Sequence, residues 1–259
     1  MLLSKRHGQG ELWYNYAHSK HGFKRRSEMK TLAFVVLSVT FCGCCMNSLR
    51  EGLIAEYHLF GDAVDSSGNG HDGVIIGTTP TKDRHGEANG AMQFGPRKWI
   101  RIPYSPEFDA TTNAFTIALW AKIDRYYGSW APFISHSVRA ANRGAMALEL
   151  DSNWGGMIQM GHSEQSNSGA RYFKVSKMPK CGEWFSLVGT YDGSRVCAYL
   201  NGEKILDRDW TRPSVSTQDD IALGVDFGQS TEWFYGALDD VAIWNRGLSE
   251  AEVLEIYAK

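Results

Sequence analysis

The chain has 259 residues, 43% of them hydrophobic, which is enough apolar material for one large packed domain or two small ones and excludes a disordered chain. Its 27 Lys and Arg against 29 Asp and Glu give a net charge of −2, so nothing in the overall charge indicates a nucleic-acid partner. An aromatic content of 12%, with 27 Gly against 7 Pro, favours a turn-rich sheet protein over a helical bundle.

The beginning of the chain differs in charge from the remainder. Residues 1–45 hold seven Lys and Arg against two Glu, a net of +5, which leaves −7 for the other residues. From Met29 the order is Lys30, an apolar run from Thr31 to Phe41, and then Cys42-Gly43-Cys44-Cys45. This order is typical of an export signal, and the run is shorter than the about 20 residues that span a bilayer.

We therefore predict three regions. Residues 1–28 are an unstructured or untranslated extension, residues 29–45 are the export signal, and residues 46–259 are one domain. Cys44 after Gly43 resembles the lipid-acceptor cysteine of bacterial lipoproteins, which implies a secreted or lipid-anchored protein at the cell envelope, with membrane contact only through the lipid. Ordinary secretion without lipid and a buried apolar helix are the alternatives.

Short apolar or alternating segments follow, rich in β-branched and aromatic residues and bounded by Gly, Asn, Asp or Pro, which is typical of strands. The predicted strands are Leu53 to Leu59, Gly73 to Ile76, Ala91 to Phe94, Trp99 to Ile102, Phe115 to Ile123, Ala131 to Ser135, Ala145 to Leu150, Met157 to Met160, Glu183 to Tyr191, Arg195 to Leu200, Glu203 to Leu206, Ile221 to Leu223 and Phe234 to Trp244.

Two turns predict how neighbouring strands pair. Asn201-Gly202 suits a type I′ hairpin turn, whose two central residues need positive φ, and the turn at Asp192-Gly193-Ser194 precedes it, so three strands form an antiparallel meander. This register places Cys197 opposite a residue near Thr190. Cys181 is then too distant for a local disulfide, and we expect two buried thiols.

One helix is predicted at the end of the chain. Ser249 followed by Glu252 forms a capping box, and Val253, Leu254 and Ile256 recur on one face behind it. The chain is therefore predicted to be an all-β protein, a sandwich of two antiparallel sheets with a short C-terminal helix.

Several segments, in chain order, carry a resemblance to a known family. They are Gly52 to Gly61, Asp65 to Gly73, Ala88 to Gly95, Trp99 to Pro103, Phe115 to Ile123, Glu183 to Gly193, Tyr199 to Gly202 and Gly236 to Ser249. Together they resemble the laminin-G-like jelly-roll domains of the concanavalin A-like lectin/glucanase superfamily. The resemblance implies a jelly roll of two curved sheets, often with a calcium ion, in secreted and surface proteins that bind glycans or other proteins.

The loop from Asp65 to Gly73 is rich in oxygen-bearing side chains, which a hard cation prefers in sets of six to eight. The resemblance implies a structural calcium ion between this loop and a late strand, with Asp65 and Asp239 as side-chain ligands and Asn69 and Asp72 beside them. The alternative is a loop whose Asp and Ser side chains cap their own backbone, with Asp239 bonded to loop amides.

Aromatic residues in predicted connections could stack on sugar rings. Trp154 lies between Asn153 and Gly155-Gly156 and is the first choice for such a platform, with Trp130 beside it and Asn153 and Arg171 available for hydrogen bonds to hydroxyls. In the alternative, these rings close over the edge of the sandwich.

An enzymatic function depends on carboxylates. Glu149-Leu150-Asp151 places two acids on one strand face and resembles part of the Glu-x-Asp-x-x-Glu signature of laminarinase-like glycoside hydrolases, but Trp154 occupies the third acidic position. Glu149 is thus expected to lack the second carboxylate that retaining hydrolysis needs.

The sequence therefore favours a non-catalytic extracytoplasmic module that binds carbohydrate and carries a structural calcium ion. Its expected partners are a glycan or a cell-surface protein, and not a nucleic acid. A polysaccharide hydrolase or lyase of the same superfamily is one alternative, and a protein-binding or purely structural surface protein is the other.

Overall fold

The computed structural model describes residues 45–128, 130–138, 143–153, 156–160, 172–211, 218–226 and 232–259. These residues belong to one compact unit, Cys42–Lys259. The predicted extension, the export signal up to Cys44, and Cys44 itself lie outside the described residues. Among the helices that the structure describes, none is long and apolar enough to cross a membrane.

Strands are the main regular element in the described part of the chain. In chain order the elements are β1 (Leu53–Tyr57), β2 (Val74–Ile76), β3 (Thr79–Thr81), β4 (Ala91–Phe94), β5 (Trp99–Ile102), β6 (Phe115–Arg125), β7 (Trp130–Val138), β8 (Arg143–Asp151), β9 (Met157–Met160), β10 (Tyr172–Lys174), β11 (Trp184–Tyr191), β12 (Arg195–Leu200), β13 (Glu203–Asp209), β14 (Ile221–Leu223), β15 (Val225–Asp226), β16 (Glu232–Trp233), β17 (Tyr235–Trp244) and α1 (Glu250–Tyr257). Short 3-10 helices lie at Cys45–Arg50 and Pro106–Thr112.

The strands form two antiparallel sheets and one small hairpin. The first sheet has the order β13-β12-β11-β6-β17-β4-β3, and β1 also pairs with β17. The second sheet has the order β10-β9-β8-β7-β14-β5-β2, and β15 pairs with β16. The predicted all-β, two-sheet antiparallel sandwich is confirmed.

The main core lies between the two sheets, where alternate residues of each strand point inward. Leu119 and Leu187 of the first sheet and Leu148 and Met160 of the second are fully buried in it. Met160 packs directly over Gly189 of β11, because a Cβ there would lie only 2.5 Å from the Met160 sulfur. A larger side chain at this position would require the Met160 side chain to move.

A second apolar cluster lies on the outer face of the first sheet, under α1. It contains Val253 of the helix together with Ala118, Val188, Ala242 and Trp244 of the strands. Ser249 caps the helix as predicted: its side chain accepts a hydrogen bond from the amide of Glu252, and the Glu252 side chain accepts one from the Ser249 amide. The predicted C-terminal helix is confirmed.

The hairpin predictions are also confirmed. Asn201 and Gly202 have φ values of 51° and 75°, as a type I′ turn requires, and Cys197 pairs with Thr190. Both thiols are free, but Cys181 is exposed and Cys197 half-buried, so the prediction that both are buried is wrong. Cys181 lies in the turn before β11, and Cys197 of β12 packs against the second apolar cluster.

Arg246 ties the two ends of the described chain together. Its guanidinium donates hydrogen bonds to the carbonyls of Ser48 and Glu51, at 2.5 and 2.7 Å, and forms an ion pair with Glu252 of α1 at 2.7 Å. This arginine and the Ser249 cap lower the pKa of Glu252 to about 2. The indole of Trp244 donates a further bond to the carbonyl of Leu49 at 2.7 Å.

Candidate functional site

The outer face of the second sheet carries acidic side chains that are nevertheless buried. In β8, Leu148 and Leu150 point into the core, so the alternate residues Glu149 and Asp151 point outward on one face, as the sequence indicated. Only 1% of Glu149 and 5% of Asp151 is exposed. Buried carboxylates cost free energy unless they are bonded, so their presence on this face indicates a site built for polar contacts.

Neighbouring strands add further polar and aromatic residues to this face, because their register places these residues beside Glu149 and Asp151. Gln159 of β9 pairs with Glu149, and Tyr172 of β10 pairs with Gln159. Trp130 of β7 pairs with Asp151 on the other side of β8. Two aromatic rings, an amide and two carboxylates from four strands therefore share one face.

A cluster of three carboxylates lies at the centre of this face. One carboxylate oxygen each from Glu149, Asp226 and Glu232 lie within 4.8 Å of one another. Asp226 and Glu232 pair across the β15–β16 hairpin, and the Ser135 hydroxyl of β7 donates a bond to Asp226 at 3.1 Å. Charges of one sign at this distance repel, so a cation would stabilise the group.

This cluster corrects one expectation from the sequence. We expected Glu149 to lack a second carboxylate at catalytic distance, and the fold supplies Asp226 and Glu232 instead of an acid at position 154. Nothing local in the sequence marks these two residues, because a short hairpin late in the chain brings them to β8.

Two pairs of aromatic rings accompany the carboxylates. The rings of Trp130 and Tyr172 have centroids 5.4 Å apart at 49°, and those of Trp99 and Trp233 are 5.7 Å apart at 45°. All four side chains are partly exposed. Tyr172 on β10 and Trp99 on β5 lie on opposite sides of β8 in the strand order. We call this surface the candidate face: Trp99, Trp130, Glu149, Asp151, Gln159, Tyr172, Asp226, Glu232 and Trp233.

Two of the four predicted ligand-binding residues lie in the described part of the chain. Trp130 lies on the candidate face. The exposed Asn153 follows β8, and its backbone N–H donates a hydrogen bond to the Asp151 carboxylate at 2.9 Å. Trp154, the first choice for a stacking platform, and Arg171 lie outside the described residues.

The Asp65 carboxylate, a predicted calcium ligand, is the acceptor that organises its loop. It accepts backbone N–H bonds from Glu56, Ser67 and His71, at 3.0, 2.9 and 2.9 Å, and a bond from the Ser67 hydroxyl at 2.9 Å. Burial alone would raise the pKa of Asp65, because it disfavours the charged carboxylate. The four hydrogen bonds outweigh this effect and hold the pKa below its ordinary value.

Asn69 and Asp72 also make hydrogen bonds, Asn69 to strand β1 and Asp72 within the loop. The Asn69 side-chain amide donates to the carbonyls of Leu53 and Ile54, at 3.0 and 2.8 Å. Asp72 accepts the backbone N–H of Asp65 at 2.8 Å. The Asp72 bond is of the kind expected in the alternative in which the loop caps its own backbone, and the Asn69 bonds join the loop to β1.

The carboxylate of Asp239, the other predicted calcium ligand, is 1% exposed and bonds Arg84 at 2.5 Å. Its Oδ1 atom has no hydrogen-bond partner among the described residues. Burial, and next the charge of Asp240, raise the pKa of Asp239 to about 7 despite Arg84. The described hydrogen-bond partners of Asp65 and Asp239 have no residue in common, and the calcium site stays a prediction.

Comparison with known families gives one match to the sequence. A laminin-G-type family model described as the concanavalin A-like lectin/glucanases superfamily matches residues 94–254. That range includes the candidate face from Trp99 to Trp233. No curated protein sequence matches the chain.

Solved structures with the same fold are distant in sequence. Domain 4 of AbnA, an extracellular arabinanase of Geobacillus stearothermophilus in complex with arabinotriose, has a TM-score of 0.60 at 20% identity, covering 79% of this chain and 98% of that one. The botulinum neurotoxin type C structure reported with ganglioside-dependent cell entry has a TM-score of 0.63 at 12% identity, over 82% of this chain and 52% of that one. Trypanosoma rangeli sialidase, in complex with the inhibitor DANA, has a TM-score of 0.59 at 12% identity, over 79% and 32%. The chain thus spans about half the length of the neurotoxin structure and a third of the sialidase.

Proposed function

Because this chain belongs to the laminin-G-type family of the concanavalin A-like lectin/glucanase superfamily, we propose that it is a carbohydrate-binding module whose binding surface is the candidate face. The observation that carries the proposal is the arrangement of two partly exposed aromatic pairs around buried acids and an amide on one sheet face. The arabinotriose and ganglioside named for two proteins of the same fold support carbohydrate as the ligand class.

The chemistry of a sugar suits such a face. A sugar ring has an apolar C–H side that packs on an aromatic ring, and its hydroxyls donate to carboxylates and exchange bonds with an amide. Trp130 and Tyr172 supply rings at one end, and Glu149 and Gln159 supply fixed hydrogen-bonding groups. Because these polar groups are held within a sheet, little conformational entropy is lost when a ligand binds.

We expect Trp130→Ala to weaken the binding of the best ligand from a glycan array at least about tenfold, because an anchoring aromatic surface is removed. Isothermal titration calorimetry would measure the change. Trp184→Ala is the matched control: this tryptophan is also partly exposed but lies on the first sheet, and its loss should leave the affinity unchanged within about twofold. Equal losses in both variants would contradict the proposal.

A polysaccharide hydrolase is the second candidate, and the close approach of Glu149, Asp226 and Glu232 favours it. One carboxyl group could protonate the glycosidic oxygen while another attacks the sugar or activates water, and about 5–5.5 Å between the carboxyl groups is typical of retaining enzymes. A reducing-sugar assay on the ligands from the array separates the candidates. Turnover that is lost in Glu149→Gln would establish the hydrolase, and binding without turnover supports the module.

We also propose a structural calcium ion, with Asp65, Asn69, Asp72 and Asp239 as its ligands. The oxygen-rich loop and the unbonded Oδ1 of Asp239 support it. An ion at about 100 times its dissociation constant adds roughly 2.7 kcal/mol, which raises the melting temperature by about 5–10 °C. Thermal melts in calcium and in a chelator would measure this, with magnesium as the control cation. Equal melting temperatures in calcium and in chelator would contradict the proposed calcium site.

Export completes the proposed function. The basic start, the short apolar run and the small residues before Cys44 support an exported or lipid-anchored protein. Mass spectrometry of the mature protein would identify its first residue and any lipid on Cys44. A mature protein that retains residues 29–41 would contradict export through this signal.

A further inference from the structure

A cavity of about 420 Å³ opens on the outer face of the first sheet, on the opposite side of the sandwich from the candidate face. The small side chains of Ala118 and Ala242 leave room at its floor, and Trp120 and Trp244 form its apolar walls. Its rim carries His58, Phe60, Arg84 and Asp240. The volume lies in the range typical of small-molecule sites, about 300–1,000 Å³.

Each charged side chain that lines this cavity is held in an ion pair, including Lys259, which contacts Glu255 at 3.5 Å. Arg84 contacts Asp240 at 2.8 Å in addition to Asp239, and His58 contacts Asp240 at 2.9 Å. Arg50 at the edge contacts Glu56 at 3.2 Å. A strongly charged ligand would have to break one of these pairs, so the cavity favours a neutral ligand with several hydroxyl groups. The ion pairs also hold the guanidinium and carboxylate in fixed positions, as hydrogen bonding to such a ligand requires.

An exposed aromatic side chain stands at the entrance. Phe60 is 62% exposed, and the His58 ring stacks on it with centroids 5.4 Å apart at 19°. Between them Leu59 is 1% exposed and has a φ of 59°, in the left-handed region that bulky residues avoid. Asp240 across the rim has a φ of 45°. Strained residues of this kind cluster at ligand sites, where the surrounding structure holds them in place.

We propose that this cavity is a second saccharide site, which takes a neutral sugar ring. The ring packs on Phe60, and its hydroxyls bond His58, Arg84 and Asp240. The class of ligand rests on the proposed function, but the site is separate from the candidate face. With one site on each sheet, a single module could bind two glycan chains at once.

The test is a titration of the full chain with neutral methyl glycosides of glucose, galactose, mannose, xylose and arabinose, followed by NMR of the backbone amides. We expect amides around His58, Phe60 and Arg84 to shift as one set and amides of the second sheet as another. Phe60→Ala should raise the dissociation constant obtained from the first set of shifts at least about tenfold and leave that from the second set unchanged. Val64→Ala, which removes another exposed apolar side chain, should change neither set.

The outcomes separate this inference from the proposed function. Shifts confined to the second sheet overturn the second site and leave the candidate face standing. Another outcome is a set of shifts that is confined to the cavity, disappears in Phe60→Ala and persists in Trp130→Ala. That result supports the second site and overturns the candidate face. Shifts in neither set overturn both.

Discussion

Replacing Asp65 with alanine is expected to lower the free energy of unfolding by about 3–5 kcal/mol, the largest loss that we anticipate from one loop side chain of this domain. The substitution leaves the backbone N–H groups of Glu56, Ser67 and His71 without their acceptor, in a loop where Asp65 is 8% exposed. Each buried donor left unbonded costs about 1–3 kcal/mol, and partial access of water reduces the sum.

Chemical denaturation of Asp65→Ala and wild type would measure this loss. Asp62→Ala is the matched control in the same connection between β1 and β2, because the exposed Asp62 accepts, from the residues that the structure describes, only the N–H of Val64, at 3.2 Å. We expect the control to lose less than about 1 kcal/mol. A loss of similar size in both variants would show that Asp65 does not organise the loop.

The second large effect is a change in pH dependence for Asp239→Asn. In the native state the pKa of Asp239 is raised to about 7, while in the unfolded chain it has its ordinary value of 3.8. The folded protein therefore binds a proton that the unfolded chain releases, and the stability that this provides is complete below pH 3.8 and is lost as the pH rises through 7. Between pH 5 and pH 8 the loss is about 2–3 kcal/mol.

Asparagine cannot titrate, so the unfolding free energy of Asp239→Asn relative to wild type should rise by that amount from pH 5 to pH 8. Denaturation curves at several pH values, recorded in a chelator so that no calcium occupies the site proposed at Asp239, would measure the difference. Asp124→Asn, an exposed carboxylate that bonds Gln93 at 2.9 Å, is the control and should show a flat difference. Parallel profiles for wild type and Asp239→Asn would mean that Asp239 is already ionised at pH 5.

Long strands were predictable because their apolar alternation is a strong local signal. The bounds of β4, β5, β9, β12 and β14 match the prediction, and the other predicted strands differ by a few residues at their ends. The sequence analysis missed β3, β10, β15 and β16, which have two or three residues each and lack the three consecutive apolar residues that mark the equally short β2 and β14. β3 also contains Pro80, which is tolerated because β3 is an edge strand.

The candidate face was predictable only in part. Alternation in β8 places Glu149 and Asp151 together, and Trp130 was recognised as a ring near the end of a strand. Asp226 and Glu232 reach the same point through the β15–β16 hairpin, a tertiary contact that no local spacing reveals. For Asp65 the sequence identified an oxygen-rich loop, but the backbone path decides which N–H groups point at the carboxylate.

The tie that Arg246 makes between Ser48, Glu51 and α1 has a mechanical consequence. β1 and β17 are antiparallel neighbours, so the start of β1 and the end of β17 lie side by side, with Leu53 opposite Trp244. A pulling force on both ends of the domain would therefore peel β1 away one residue pair at a time instead of shearing the whole strand. The Arg246 guanidinium lies at the end where the two strands would begin to separate. Its hydrogen bonds to Glu51 and Ser48 are therefore the first that tension would load.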